Sequence, residues 1–402
     1  MSIKPDSLFW RKMNKWLFIW LIFVAGWYLI PWWNRVYFLW DDIELLMKLR
    51  HPSLETFFIS HQYQFFPVFL LFYSVEINLF GVNPSAFLAV SVGLHLVNIY
   101  LVYVLIKKLT KNNLLSFLAS MLVSFNKSYF TVIFWPTIQT HILLTTFSLL
   151  SILILMNIKN HYSFPKTLLL FLCLTSAGLS LGFGIGVGAI LAIFTYFFLS
   201  KIKGKITVMI AGTLSSLTSI IGVITFSSRE LAQNNLLQLS AKKIWNILYF
   251  TAVGPTQAII NRFLIPGFIP NIYSPLNIAI MIILPATVLG LILWMVYKAS
   301  ISSKNKLIYP LIFFGSLIIM PYFIASLAWS GPGALGALAE RYVYFPFFFF
   351  ILTLIYSLFL AEKIFFNSKK TMTLRKYSMA IFVLLSIGHQ IWLFIFTNNL
   401  FI

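Results

Sequence analysis

The chain has 402 residues, of which 60% are hydrophobic and only 9% are charged. A soluble protein needs a polar coat, with roughly 25% charged residues, so this composition excludes a soluble globular protein. The net charge of +20 comes from short basic clusters between long apolar segments, which is typical of membrane proteins and argues against a nucleic-acid partner.

Apolar segments of about 20 residues recur along the chain and predict an all-α polytopic membrane protein with about eleven transmembrane helices. We expect residues 1–402 to form a single integral membrane domain with two long outer loops, at about 34–85 and 227–275. The predicted spans are 15–33, 86–106, 113–132, 136–156, 166–180, 182–200, 206–226, 276–297, 307–328, 342–360 and 377–397.

The basic residues predict an N-terminus on the cytoplasmic side of the membrane. This orientation places 20 of the 29 lysines and arginines inside and 9 outside, as the positive-inside rule requires. The acidic residues other than Asp6 and Glu362 all fall on the outer side, and the rule does not explain that asymmetry. We therefore expect the chemistry of this protein in the outer loops and at the adjoining helix ends.

Two adjacent carboxylates, Asp41 and Asp42, follow the first predicted span and its aromatic belt. A carboxylate at a membrane surface can be partly desolvated, which raises its pKa. Such a group suits a general base acting on a hydroxyl, or a ligand for a divalent metal ion. A helix N-cap with a solvated acidic pair explains the same two residues without any chemistry.

The rest of the first outer loop contains His61 and an apolar stretch at 68–80 that is too short to span and carries Glu76. This stretch predicts an interfacial helix. The following span places His95 and Asn98 on one face. Hydrogen bonding between helices accounts for that polar pair as well as a site role does.

Three stretches of this region carry a resemblance: Trp40-Asp41-Asp42-Ile43, Leu79-Phe80-Gly81-Val82-Asn83-Pro84 and Leu94-His95-Leu96-Val97-Asn98. A fourth is Ala339-Glu340-Arg341-Tyr342-Val343-Tyr344-Phe345-Pro346, which opens a late span. In this order, the four stretches resemble the GT-C membrane glycosyltransferases. The most similar branch is that of the protein O-mannosyltransferases and the related transmembrane TPR-containing O-mannosyltransferases. The aminoarabinose lipid A transferases share the same plan.

The resemblance implies an enzyme of the cytoplasmic (inner) membrane whose active site faces the outside or periplasm. Such enzymes transfer sugar from a polyprenyl-phosphate donor to a hydroxyl of a glycan, lipid or protein acceptor. Asp41 would then be the catalytic base or metal-associated residue, supported by Asp42, and a divalent metal ion would be the one cofactor. Membrane lipid would surround the enzyme.

The donor phosphate needs a cation for its developing charge, and Arg341 matches that need because a guanidinium binds phosphate through a planar fork. Lys127 is a second predicted outer cation. An interface anchor explains Arg341 equally simply, and a solvated turn explains Lys127. The supporting or substrate-binding residues implied by the resemblance are Glu340, Tyr342, Tyr344, His61, Glu76, His95 and Asn98.

Two further functions stay open. A polytopic carrier or flippase for lipid-linked glycans has a similar size, although transporters place ionisable groups in the middle of the membrane. An O-antigen-type polymerase or ligase would depend on arginines in a large late loop. The acidic pair after the first span favours the glycosyltransferase.

Overall fold

The computed structural model describes residues 7–58, 65–126, 129–198, 202–233, 308–328 and 340–365, together with single residues between 244 and 297 and Gly388. These residues form helices and connecting turns, with no strand among them. The α-helices are α1 (Ser7–Leu29), α2 (Trp40–Leu49), α3 (Pro67–Phe80), α4 (Pro84–Thr110), α5 (Asn113–Ser124), α6 (Tyr129–Phe134), α7 (Gln139–Asn160), α8 (Phe164–Ser180), α9 (Gly184–Phe198), α10 (Ile202–Gln233), α11 (Tyr309–Ala328) and α12 (Tyr344–Phe365). Short 3-10 helices lie at Leu54–Phe58, Pro136–Ile138 and Glu340–Tyr342.

Five helical segments of the described chain are long and apolar enough to cross a membrane, which makes this an α-helical multi-pass membrane protein. They coincide with five of the predicted spans. The segments are Pro84–Thr110, Pro136–Asn160, Gly204–Phe226, Tyr309–Leu327 and Tyr344–Lys363.

The structure divides one predicted span, 113–132. Helix α5 has 12 residues, so it is about 18 Å long, too short for a hydrocarbon core of about 30 Å. Phe125 at its C-terminus takes an extended conformation, and α6 begins only at Tyr129. Helices α8 and α9 are also shorter than a typical span, with 17 and 15 residues. The predicted spans 276–297 and 377–397 lie outside the continuously described residues.

Helix α12 lies at the centre of the main hydrophobic core. It packs against α4, α5, α7 and α11, and its run of phenylalanines is buried. A helix that is apolar on all sides belongs inside a helical bundle. The 3-10 helix Glu340–Tyr342 directly precedes α12 and packs against α6. The central position of α12 therefore fixes the position of this 3-10 helix.

The described residues of the predicted first outer loop are largely helical. They include α2, the 3-10 helix Leu54–Phe58 and α3, which corresponds to the predicted interfacial helix. Gly81 ends α3 with φ at 61°, a conformation that glycine adopts without steric cost. Asn83 then caps α4 by accepting a hydrogen bond from the Ser85 backbone N–H at 3.1 Å. The turn therefore sets the angle at which α3 returns to the bundle.

Glycines permit close packing of α9 against α10. A Cβ atom on Gly212 would lie 2.7 Å from the backbone oxygen of Gly188, closer than real Cβ contacts allow. The small residues therefore bring the two backbones together, as they do between many membrane helices.

Candidate functional site

Asp42 joins the start of α2 to the beginning of α7. Its Oδ2 atom accepts a hydrogen bond from the Leu39 backbone N–H at 2.8 Å, which satisfies a donor at the helix N-terminus. Its Oδ1 atom accepts bonds from the backbone N–H of Thr137, at 2.8 Å, and from the Thr137 hydroxyl. The carboxylate is fully buried. Asp42 therefore acts as a structural anchor between two segments that are distant in sequence.

Asp41 lies beside this anchor in the first turn of α2 and is only half-buried. A negative charge here interacts favourably with the positive end of the helix dipole. The two neighbouring aspartates thus occupy different environments, one enclosed by three donors and one accessible at the surface. Only Asp41 is exposed enough to meet a substrate directly.

A second carboxylate, Glu76 on α3, lies buried against the first turn of α7. Its Oε1 atom accepts a hydrogen bond from Gln139 Nε2 at 3.3 Å, and its Oε2 atom has no partner. The same Gln139 amide donates to the Ser91 hydroxyl at 2.8 Å and to the Phe87 carbonyl at 3.3 Å. Gln139 therefore ties α3 and α4 to the start of α7.

Burial perturbs the titration of these carboxyl groups. It raises the pKa of Glu76 to about 8, and the hydrogen bond from Gln139 opposes this shift. Burial also raises the pKa of Asp42, which hydrogen bonds from Thr137 and Leu39 lower and the nearby Asp41 charge raises. Burial raises the pKa of Tyr73, and the charges of Asp42 and Glu76 raise it further.

Arg341 and Tyr342 form a basic corner at the start of α12. The guanidinium lies 5.3 Å from the centre of the Tyr342 ring and hydrogen-bonds its phenol. Burial raises the pKa of Tyr342, and the charge and hydrogen bond of Arg341 lower it. Arg341 itself is partly exposed, so it can reach both the phenol and a ligand at the surface.

His141, in the first turn of α7, lies against this corner. Its ring packs edge-on against Tyr342, with centroids 6.3 Å apart, and against Phe183 at 6.0 Å. The Arg341 charge lies close enough to act on the imidazole. The imidazole is 3% exposed, and its Nδ1 atom has no hydrogen-bond partner.

One short segment therefore connects the acidic and basic parts of the region. Thr137 binds Asp42, Gln139 binds Glu76, and His141 contacts Tyr342. The five residues from Thr137 to His141 span roughly 6–8 Å along the helix axis. The acidic pair and the basic corner consequently lie at the same end of α7.

His95 and Asn98 lie deeper in the bundle, and both contact the hydroxyl of Tyr344. His95 Nδ1 is 2.8 Å from the Tyr344 hydroxyl, and Asn98 Nδ2 donates to the same hydroxyl at 3.3 Å. His95 Nε2 faces the Ser124 carbonyl at 3.2 Å, so the consistent tautomer carries its proton on Nε2. All three side chains are fully buried, which fits a network that joins α4 to α12.

The structure does not describe all of the site residues that the sequence predicts. His61, Lys127 and the side chain of Glu340 lie outside the described residues. Sequence reasoning also missed Tyr73 and the polar run Thr137, Gln139 and His141. A signal was present, because alternate polar residues directly after a proline are unusual at the start of a span.

The described donors do not make up a metal site by themselves. No group of three or more His, Cys, Asp or Glu side chains is placed to hold a metal ion in the described part of the chain. Both oxygens of Asp42 already accept hydrogen bonds, which weakens them as metal ligands.

No family model matches the chain, and no curated protein or solved structure is significantly similar to it.

Proposed function

We propose that this protein is a membrane glycosyltransferase of the GT-C type, which moves a sugar from a polyprenyl-phosphate donor to a hydroxyl acceptor on the outer face of the membrane. The acceptor is a glycan, a lipid or a protein. The proposal places the protein in the cytoplasmic membrane with its N-terminus inside. It rests on the resemblance of the four sequence stretches and on the geometry around α7.

In the proposed reaction, Asp41 accepts the proton of the acceptor hydroxyl as that oxygen attacks the anomeric carbon. The bond between this carbon and the phosphate oxygen breaks, and polyprenyl phosphate leaves with the bonding electron pair. Arg341 stabilises the charge that develops on the phosphate. Asp42 holds the first turn of α2, and so positions Asp41, through its bonds to Leu39 and Thr137.

The observation that supports the proposal most is the common location of the two sequence stretches that carry it. The stretch with Asp41 and Asp42 and the stretch with Arg341 are about 300 residues apart in the sequence. Both contact the segment 137–141 at the start of α7. A transfer reaction needs a base and a phosphate-binding cation around one substrate, and the proposal assigns these roles to Asp41 and Arg341.

The test is to supply the full-length protein, reconstituted in nanodiscs, with a panel of polyprenyl-phosphate sugars and a membrane extract as the source of acceptor. Mass spectrometry follows the consumption of each donor and the release of polyprenyl phosphate. We expect release with at least one donor, and we expect Asp41→Asn to reduce its rate at least about 100-fold, the low end for loss of a general base.

Glu44→Gln is the matched control, because Glu44 lies one turn away on the same helix and pairs with Lys48 at the surface, at 2.6 Å. It should keep the wild-type rate. An Asp41→Asn variant with full activity would remove Asp41 from the mechanism. If no donor is consumed and labelled lipid moves between leaflets instead, the protein is a carrier.

A further inference from the structure

His141 is one of the buried polar side chains of the described residues that the proposed reaction leaves without a role. A buried ring nitrogen with no partner is uncommon, because such groups normally find a protein or water partner. The other buried atoms without partners near the site belong to Tyr73, Glu76, Gln139 and Trp135. Of these five side chains, His141 has the Arg341 charge close enough to act on it.

The surroundings of His141 are suited to an oxyanion. The guanidinium of Arg341 supplies positive charge, and the aromatic rings of Tyr342 and Phe183 exclude water from the imidazole. A histidine and an arginine placed together without a ligand repel each other whenever the histidine is protonated. An anion between them converts that repulsion into two charge-assisted hydrogen bonds.

We infer that His141 and Arg341 together form a phosphate-binding site, in which the imidazole donates a hydrogen bond to one phosphate oxygen and the guanidinium binds the others. The inference rests on the proposed function, because it assigns the phosphate of the lipid donor to this site. It adds His141 on α7 as a second phosphate-binding residue beside Arg341 at the start of α12. His141 is thus a binding residue, and the same segment that anchors Asp42 also holds the leaving group.

The experiment measures equilibrium binding, without any transfer of sugar. The full-length protein in nanodiscs is titrated with a short-chain polyprenyl monophosphate, with the corresponding polyprenol and with inorganic phosphate, and tryptophan fluorescence reports binding. His141→Leu removes the N–H donor, and His141→Gln keeps one. His161→Leu is the matched control, because His161 is an exposed histidine at the opposite end of α7.

We expect His141→Leu to weaken binding of the polyprenyl monophosphate about 10-fold or more, the effect of one hydrogen bond to a charged group. His141→Gln should recover part of this loss. Binding of the polyprenol should stay at the wild-type level in every variant. If inorganic phosphate competes with the lipid in a way that depends on His141, the phosphate alone is recognised. If inorganic phosphate does not compete, the site recognises the lipid headgroup. Both outcomes support the site.

The inference is overturned if His141→Leu binds the monophosphate like the wild type, or if it loses polyprenol binding equally, which would indicate a structural role. These outcomes are distinct from failure of the proposed function. Phosphate binding that needs His141 together with no consumption of any sugar donor would keep the site and reject the glycosyltransferase. Consumption of donor together with normal phosphate binding by His141→Leu would keep the glycosyltransferase and reject the site.

Discussion

The carboxylate of Asp42 binds the backbone N–H and the hydroxyl of Thr137, a residue 95 positions further along the chain. This contact attaches the short helix α2 to the start of α7. It also separates the roles of the two adjacent aspartates, since the anchored one is enclosed and its neighbour stays accessible.

The contact predicts that Asp42→Asn lowers stability. An amide in place of the carboxylate can accept fewer bonds, and its NH₂ group would face a donor, so we expect a loss of about 1–3 kcal/mol in the free energy of unfolding. A double-mutant cycle with Thr137→Val, measured by unfolding in mixed micelles, should give a coupling energy of at least about 0.5 kcal/mol. Additive effects of the two substitutions would contradict the contact. Glu44→Gln serves as the surface control.

Glu76 predicts a dependence of stability on pH. Its pKa is raised from 4.5 in the unfolded chain to about 8 in the folded protein. The folded state therefore binds the proton more tightly, so this contribution to stability is fully present below pH 4.5 and is lost as the pH rises towards 8. The slope approaches about 1.4 kcal/mol per pH unit between these values.

Glu76→Gln is the test of this titration, because the amide has nearly the same shape and does not ionise. We expect the melting temperature of the wild type to fall more steeply than that of the variant as the pH rises. The difference between the two curves isolates Glu76 from Asp42, whose raised pKa acts in the same direction. Parallel curves for the two proteins would show that Glu76 does not titrate in this range.

We predict that removal of the Tyr344 hydroxyl lowers the stability of the protein. Tyr344→Phe leaves His95 Nδ1 and Asn98 Nδ2 without their shared partner in the core. We expect a cost of about 1–3 kcal/mol, measured by the same unfolding assay. Tyr100→Phe on α4 is the control, because Tyr100 is 50% exposed. Equal stability of both variants would show that the network contributes nothing.

Gly212 predicts a steric effect between α9 and α10. Gly212→Ala places a methyl group against the Gly188 backbone oxygen, and a backbone atom cannot move aside cheaply. We expect a lower melting temperature despite the better helix propensity of alanine, worth about 1 kcal/mol. Gly315→Ala, where no atom lies within 4 Å of the added carbon, should be neutral or stabilising. The opposite ranking of the two variants would show that the helices do not pack closely here.

Part of the fold follows from local composition, which can be read directly from the sequence. Five predicted spans and the helix predicted at 68–80 appear because apolar length and turn residues act within one segment. The break after Ser124 escaped prediction, because the residues on both sides of it are apolar. Hydropathy alone cannot distinguish one span from two short helices enclosed by protein.

The sequence by itself determined that this is an α-helical multi-pass membrane protein, and it identified Asp41, Asp42 and Arg341 as the residues to examine. Only the tertiary structure decided which aspartate is buried, and that Thr137, Gln139 and His141 connect the acidic and basic parts. The physical reason is the range of the interactions. Hydropathy and helix formation depend on neighbours within a few turns, whereas burial and hydrogen bonds between α2, α7 and α12 depend on segments that meet only in the folded bundle.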